Sequence, residues 1–184
     1  MFGVLTVRGL ALLAQQRKLG WPILARRVAL TPEIFSQLIA RVTGKIAGRK
    51  LDAELAAFLE AEFPASGKDF QAIFDACQQA IAAGWMCKYE GGGIRYGRVI
   101  KPTPAHHAFS VDVVDMENVK GPHHRHPLGE IDMIMPLSGD PKFDGHGRGW
   151  LVYPADSAHP PTVIGGRALV LYLLPEGAIE FSKS

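Results

Sequence analysis

The chain has 184 residues, 47% of them hydrophobic and 21% charged, with a mean hydropathy of +0.06, which is the composition of one folded domain with an appendage and excludes a disordered chain. Twenty Lys and Arg against eighteen Asp and Glu leave a net charge of +2, so no nucleic-acid or membrane partner is implied. No apolar run approaches the ~18 residues that cross a bilayer, and Cys77 and Cys87 make neither a disulfide framework nor a short-spaced zinc pair, reading instead as reduced, buried thiols.

Residues 1–31 read as a basic N-terminal extension, with five basic residues and no acid before Glu33. Serine is absent before Ser36, and neither a clean apolar core nor a cleavage site follows, which argues against a targeting peptide and for a cytoplasmic protein. A helix carrying Leu10, Leu13 and Ile23 is the only structure expected there.

Residues 32–84 read as a helical segment. Thr31 can cap and Pro32 suits the first helical position, with Ile34, Phe35, Leu38, Ile39 and Val42 at helical spacing before Gly44. Leu51 to Phe63 is a second helix, ended by Pro64. Ser66 or Asp69 opens a third, whose stripe of Phe70, Ile73, Phe74, Cys77 and Ile81 stops at Gly84.

From residue 85 to 184 the period changes to two, and short strands are punctuated by Gly and Pro. Trp85–Glu90 and Ile94–Ile100 flank a triple glycine and read as a hairpin. Strands follow at Phe109–Met116, His123–His126, Glu130–Leu137, Gly149–Tyr153, Ala168–Leu174 and Ala178–Phe181. Short antiparallel strands with tight connections predict a closed barrel or jelly roll, giving an α+β chain overall.

Five of the seven histidines lie between positions 121 and 160. On a strand His124 and His126 share a face while His123 points away, and Gly129 can turn the chain so that Glu130 joins them. Two imidazoles and a carboxylate suit a divalent transition metal, and His159, after the Pro154–Ser157 turn, supplies a fourth ligand. No nucleotide or organic cofactor is expected. Arg95 and Arg98, three apart and so on opposite faces of a strand, and Tyr153 are the candidates for holding a substrate. Gly145–Gly149 reads as an ordinary loop, and His106 and His107 as surface residues.

The pattern His124-x-His126, Glu130, then Pro154-x-Asp156-x-x-His159 resembles the cupin superfamily, whose metal ligands fall on those two histidines, the glutamate and the last histidine. Asp156 replaces the usual turn glycine. The runs Gly84–Cys87, Ile94–Val99, Phe109–Val114, His126–Asp132, Gly149–Pro154 and Leu173–Ile179 more closely resemble the 4-hydroxylaminobenzoate lyase family. That resemblance implies an enzyme forming protocatechuate and ammonia from 4-hydroxylaminobenzoate and water, with Glu130, His126 and His159 catalytic and a small aromatic as substrate. Two alternatives use the same residues: a cupin dioxygenase acting on a small aromatic, and a non-enzymatic small-molecule binder. A homo-oligomer is left open.

Overall fold

The computed structural model describes residues 30–181, so the helix expected around Leu10, Leu13 and Ile23 lies outside the described residues. Among the described residues three α-helices come first: α1 (Pro32–Ile46), α2 (Ala53–Glu62) and α3 (Lys68–Ala82). Thr31 caps α1, its hydroxyl accepting from the Ile34 N–H at 3.3 Å, and Leu30 packs on the core. Asp52 caps α2 by accepting from the Glu54 and Leu55 N–H groups. The predicted stripe of α3 is buried at Phe70, Ile73, Phe74 and Cys77. No described helix is long and apolar enough to cross a membrane.

Nine strands follow: β1 (Tyr89–Gly91), β2 (Ile94–Ile100), β3 (Phe109–Lys120), β4 (His124–His126), β5 (Glu130–Phe143), β6 (Gly149–Tyr153), β7 (Ser157–His159), β8 (Thr162–Pro175) and β9 (Glu180–Phe181). They pair antiparallel in two sheets, β1-β2-β3-β8-β5-β6 and β7-β4-β9. The α+β expectation holds in that form. The expected closed ring is not formed by hydrogen bonds: the two sheets are separate, and each ends in edge strands.

Strand alternation gives the larger sheet two different faces. Val111, Val113, Ile131, Met133, Leu169 and Leu171 pack against Phe35, Ile39, Leu59, Phe70 and Ile73 of the helices in one apolar core. Each such buried side chain contributes about 1.5–3 kcal/mol. Trp150 of β6 ties the layers together, its indole N–H donating to the Phe63 carbonyl at 2.8 Å and its backbone N–H to Glu60 Oε1 at 2.7 Å. The opposite face carries a second cluster that includes Val114, Met116, Ile134, Val170 and Leu174.

The three long strands bend at their far ends. Register shifts interrupt β3 between Glu117 and Val119, and β5 between Pro136 and Lys142. Glycine is required at the bend, because a Cβ on Gly166 would sit 2.1 Å from the Ser138 carbonyl oxygen. As a result Phe143, which pairs with Val163 at the far end, lies 6.1 Å from Tyr172 and 6.2 Å from His159, ring to ring. The strand ends therefore fold back over the second face.

The structure corrects some local expectations. Residues 85–88 form no strand; Trp85 instead packs edge-on against Phe35 at 6.0 Å, and Cys87 has φ 52°. Ser157, expected in the turn, already belongs to the strand Ser157–His159, and β5 and β8 run far beyond their apolar cores. His106 is buried, bonded to Ser36 and Thr103 at 2.9 and 3.0 Å, because it anchors α1 to the loop before β3.

Candidate metal centre

The centre lies where the small sheet meets the second face of the large one. On β4, His124 and His126 point inward and are buried, while Arg125 between them faces out and pairs with Asp156 and Glu180. Those outward pairs fasten β4 at its neighbours on both sides. Across the ladder His124 is the register partner of His159 on β7. Gly129 makes the turn into β5 at φ 87°, where a Cβ would meet the Tyr153 carbonyl oxygen and Leu51 at 2.7 Å. Asp156 takes the left-handed conformation at φ 67° that glycine usually fills, and its N–H donates to the His126 carbonyl.

These turns bring one ligand atom each from His124, His126, Glu130 and His159 to within 4.8 Å of one another. Glu130 Oε2 lies 2.9 Å from His126 Nε2, and Glu130 Oε1 lies 3.4 Å from His159 Nε2. His126 Nε2 and His159 Nε2 are 3.3 Å apart. His124 Nδ1 donates to the Pro122 carbonyl at 3.0 Å, which leaves a bare lone pair on its buried Nε2 without a hydrogen-bond partner. Both Glu130 oxygens are likewise buried without a well-aligned hydrogen bond. A buried acceptor left bare is costly, and four convergent nitrogen and oxygen donors fit a divalent transition metal.

Asp144 organises the outer side of the cluster. Its Oδ2 accepts from His159 Nδ1 at 2.5 Å and from the Tyr153 hydroxyl at 2.8 Å, while Oδ1 accepts from the Thr162 N–H at 2.8 Å. The carboxylate thereby fixes the His159 tautomer with Nε2 facing the cluster.

Electrostatics follow from burial and these partners. Burial, with His126 adjacent, pushes His124 down to about 4, so it is neutral at pH 7. Burial also opposes charge on His159, but the hydrogen bond to Asp144 and the adjacent Glu130 carboxylate outweigh it and raise the imidazole to about 9. Glu130 is penalised by burial and yet held below the usual carboxylate range by His126 and His159. Burial and the neighbouring Glu130 raise Asp132 well above that range. One carboxylate of the pair therefore keeps the charge and the other its proton.

His124 also lines a cavity of about 840 Å³ whose walls include Ile94, Tyr96, Val114, Met116 and Leu174. Of the three predicted substrate residues only Arg98 lines it. Arg95 points to the other face, where it bonds the Cys87 carbonyl at 3.3 Å and approaches Asp115 at 3.8 Å. Tyr153 packs 4.5 Å from the His159 ring and serves Asp144. Sequence reasoning passed over Asp144, Asp132, Tyr172 and Lys120. The Asp144-Gly145 pair reads as a turn, and nothing local says that its carboxylate reaches a histidine fifteen residues away.

A family model described as PnbB, 4-hydroxylaminobenzoate lyase, matches residues 37–181. A 4-hydroxylaminobenzoate lyase of Nocardioides sp. (strain LMS-CY) is 26% identical over 82% of this chain and 95% of its own. One of Pseudomonas putida is 25% identical over 74% of this chain and 88% of its own. Among solved structures, the DMSP lyase DddQ from Ruegeria pomeroyi DSS-3 aligns with a TM-score of 0.44 at 20% identity, over 81% of this chain and 96% of that one.

Proposed function

The chain belongs to the 4-hydroxylaminobenzoate lyase family, and from that membership we propose that it converts 4-hydroxylaminobenzoate and water to protocatechuate and ammonia within a cupin-like pocket. The observation that carries this reading is the convergence of His124, His126, Glu130 and His159 beside a cavity of about 840 Å³. That volume falls in the ~300–1,000 Å³ range of small-molecule pockets.

The net reaction is redox-balanced. The N–OH oxygen leaves as water, which makes the ring electron-poor. A second water adds at the carbon ortho to nitrogen, and a third hydrolyses the resulting imine, releasing ammonia before the ring rearomatises. One water lost and two gained match the overall consumption of one.

Each of these steps moves a proton. Glu130 is ionised in the ground state, and a carboxylate oxygen of Glu130 can accept the proton of the adding water. His126 and His159 hold that carboxylate in place at 2.9 and 3.4 Å. Asp144 keeps His159 from rotating. His124, His126, Glu130 and His159 would hold a divalent ion, whose Lewis acidity would favour developing negative charge beside it.

The test is anaerobic incubation of the protein with 4-hydroxylaminobenzoate, with and without chelator, following ammonia and protocatechuate. The expected result is equal amounts of both products without oxygen. A requirement for oxygen moves the chemistry to a dioxygenase, and absence of both products ends the lyase reading.

A further inference from the structure

The proposed substrate carries a ring carboxylate, and the residues expected to hold it are committed elsewhere. Two cations line the cavity, Arg98 and Lys120. Arg98 already donates from Nε to both oxygens of Asp112 at 3.0 and 3.1 Å and from Nη2 to the Gly177 carbonyl at 3.1 Å. Lys120 is exposed, and its ammonium has no ion pair or hydrogen bond among the described residues. The bend of the sheet explains how a residue at the end of β3 reaches the cavity: Lys120 pairs with Thr162, beside the Val163–Phe143 pair that folds back over Tyr172.

A second group points to a ligand from inside. Tyr172 lines the same cavity and is only 4% exposed, yet its hydroxyl has no partner. It stands between Asp112 and Asp132 in the cross-strand register, so it is the central member of a polar row across three strands. A buried hydroxyl without a partner costs stability unless a ligand or water completes it.

Resting on the lyase reading above, whose substrate is an aromatic carboxylate, we propose that Lys120 and Tyr172 are the residues that read the two ends of that substrate in the cavity. The Lys120 ammonium is the carboxylate's counter-ion at the mouth, and the Tyr172 hydroxyl bonds a polar substituent across the ring. Aromatic and aliphatic walls from Ile94, Tyr96 and Met116 hold the ring itself. Both residues are specificity determinants and neither is a metal ligand.

The test is calorimetric titration of the purified protein with three stable probes: benzoate, benzamide and 4-hydroxybenzoate. Wild type is expected to prefer benzoate to benzamide by roughly tenfold, the low end for a bond to a charged group because Lys120 is solvated. Lys120→Met abolishes that preference and Lys120→Arg retains most of it. Tyr172→Phe removes the advantage of 4-hydroxybenzoate over benzoate and leaves the carboxylate preference intact. The same variant is expected to unfold at a temperature no lower than wild type without ligand, since it deletes an unsatisfied group. Equal binding of benzoate and benzamide by wild type, no binding of either, or an undiminished preference in Lys120→Met overturns the proposal. Charge preference lost in Lys120→Met, in a protein that releases no ammonia from 4-hydroxylaminobenzoate, upholds this subsite and refutes the lyase reading. Turnover with the preference unmoved does the reverse.

Discussion

Asp144→Asn separates a carboxylate that organises the centre from one that merely lies near it. Asn has the same shape and tolerates the left-handed backbone at φ 48°, so the fold is expected to survive. Asp144 accepts three hydrogen bonds, from His159 Nδ1, the Tyr153 hydroxyl and the Thr162 N–H, at 2.5, 2.8 and 2.8 Å. An amide has one oxygen. If it stays on the Thr162 N–H, the NH₂ group faces His159 Nδ1 and forces the imidazole proton onto Nε2, where it occupies the lone pair that faces Glu130 and His126. If the amide flips, the Thr162 N–H is lost and the charge that orients His159 is gone in either case. Loss of such an outer carboxylate costs about 10–100-fold in metal affinity, or about 1.4–2.8 kcal/mol. Titration with Co²⁺, read by its visible absorption, measures this directly, with thermal unfolding as the control for folding. Affinity within about twofold of wild type would show that the His159 tautomer is set elsewhere and that Asp144 does not organise the centre.

Glu130→Gln is expected to lower anaerobic ammonia release by about 10²–10⁴-fold while leaving the shape of the site; near-wild-type release removes Glu130 from both its proton-transfer and its ligand role. The pH dependence follows from His159, which Asp144 and Glu130 raise from 6.5 to about 9 against the opposing effect of burial. In chelator-treated protein its stabilisation is complete below pH 6.5 and is lost as pH rises through about 9, so Tm falls across that window. Because a bound ion replaces the proton on His159, affinity for Co²⁺ rises over the same window; a pH-independent affinity there contradicts the ligand assignment. Trp150→Phe leaves the buried Phe63 carbonyl unpaired, at a cost of about 1–3 kcal/mol and roughly 2–12 °C in Tm; no change in Tm shows that α2 is held to β6 by other contacts.

What was legible in the sequence was the part written in local periodicity. The stripes of α1 and α3 and the strand of alternating Ile131, Met133 and Met135 face one apolar core, so each could be read within a dozen residues. His124 and His126 were legible for the same reason, since strand alternation fixes their common side. The bend of β3, β5 and β8 was not. It arises where Gly139 and Gly166 pass each other so closely that a Cβ on either would clash with the opposite chain, a condition set by pairing between segments far apart in sequence. Everything that depends on the bend was missed with it, including Lys120 at the cavity and Phe143 over Tyr172. Arg95 and Arg98 show an intermediate case. Alternation placed them on opposite faces, but only the tertiary partners reveal that Asp115 holds one and Asp112 the other.

The two faces of the large sheet divide stability from function. The helix-covered face buries phenylalanine, isoleucine, leucine and methionine side chains with no unsatisfied side-chain polar group among them. Such a face contributes folding energy irrespective of what occupies the other side. The second face carries Glu130, Asp132 and Tyr172, all buried with polar atoms left bare, and it meets His124 in the same condition. Each bare group works against folding, and a protein whose margin is only about 5–15 kcal/mol can hold several of them only if an independent core supplies the surplus. That is why a thin three-stranded sheet suffices over the site: β4 and its neighbours need to position imidazoles, and the outward ion pairs of Arg125 with Asp156 and Glu180 do so without adding to the core. On the proposed reading, His124 and Glu130 would gain their partners from an ion and Tyr172 from a ligand.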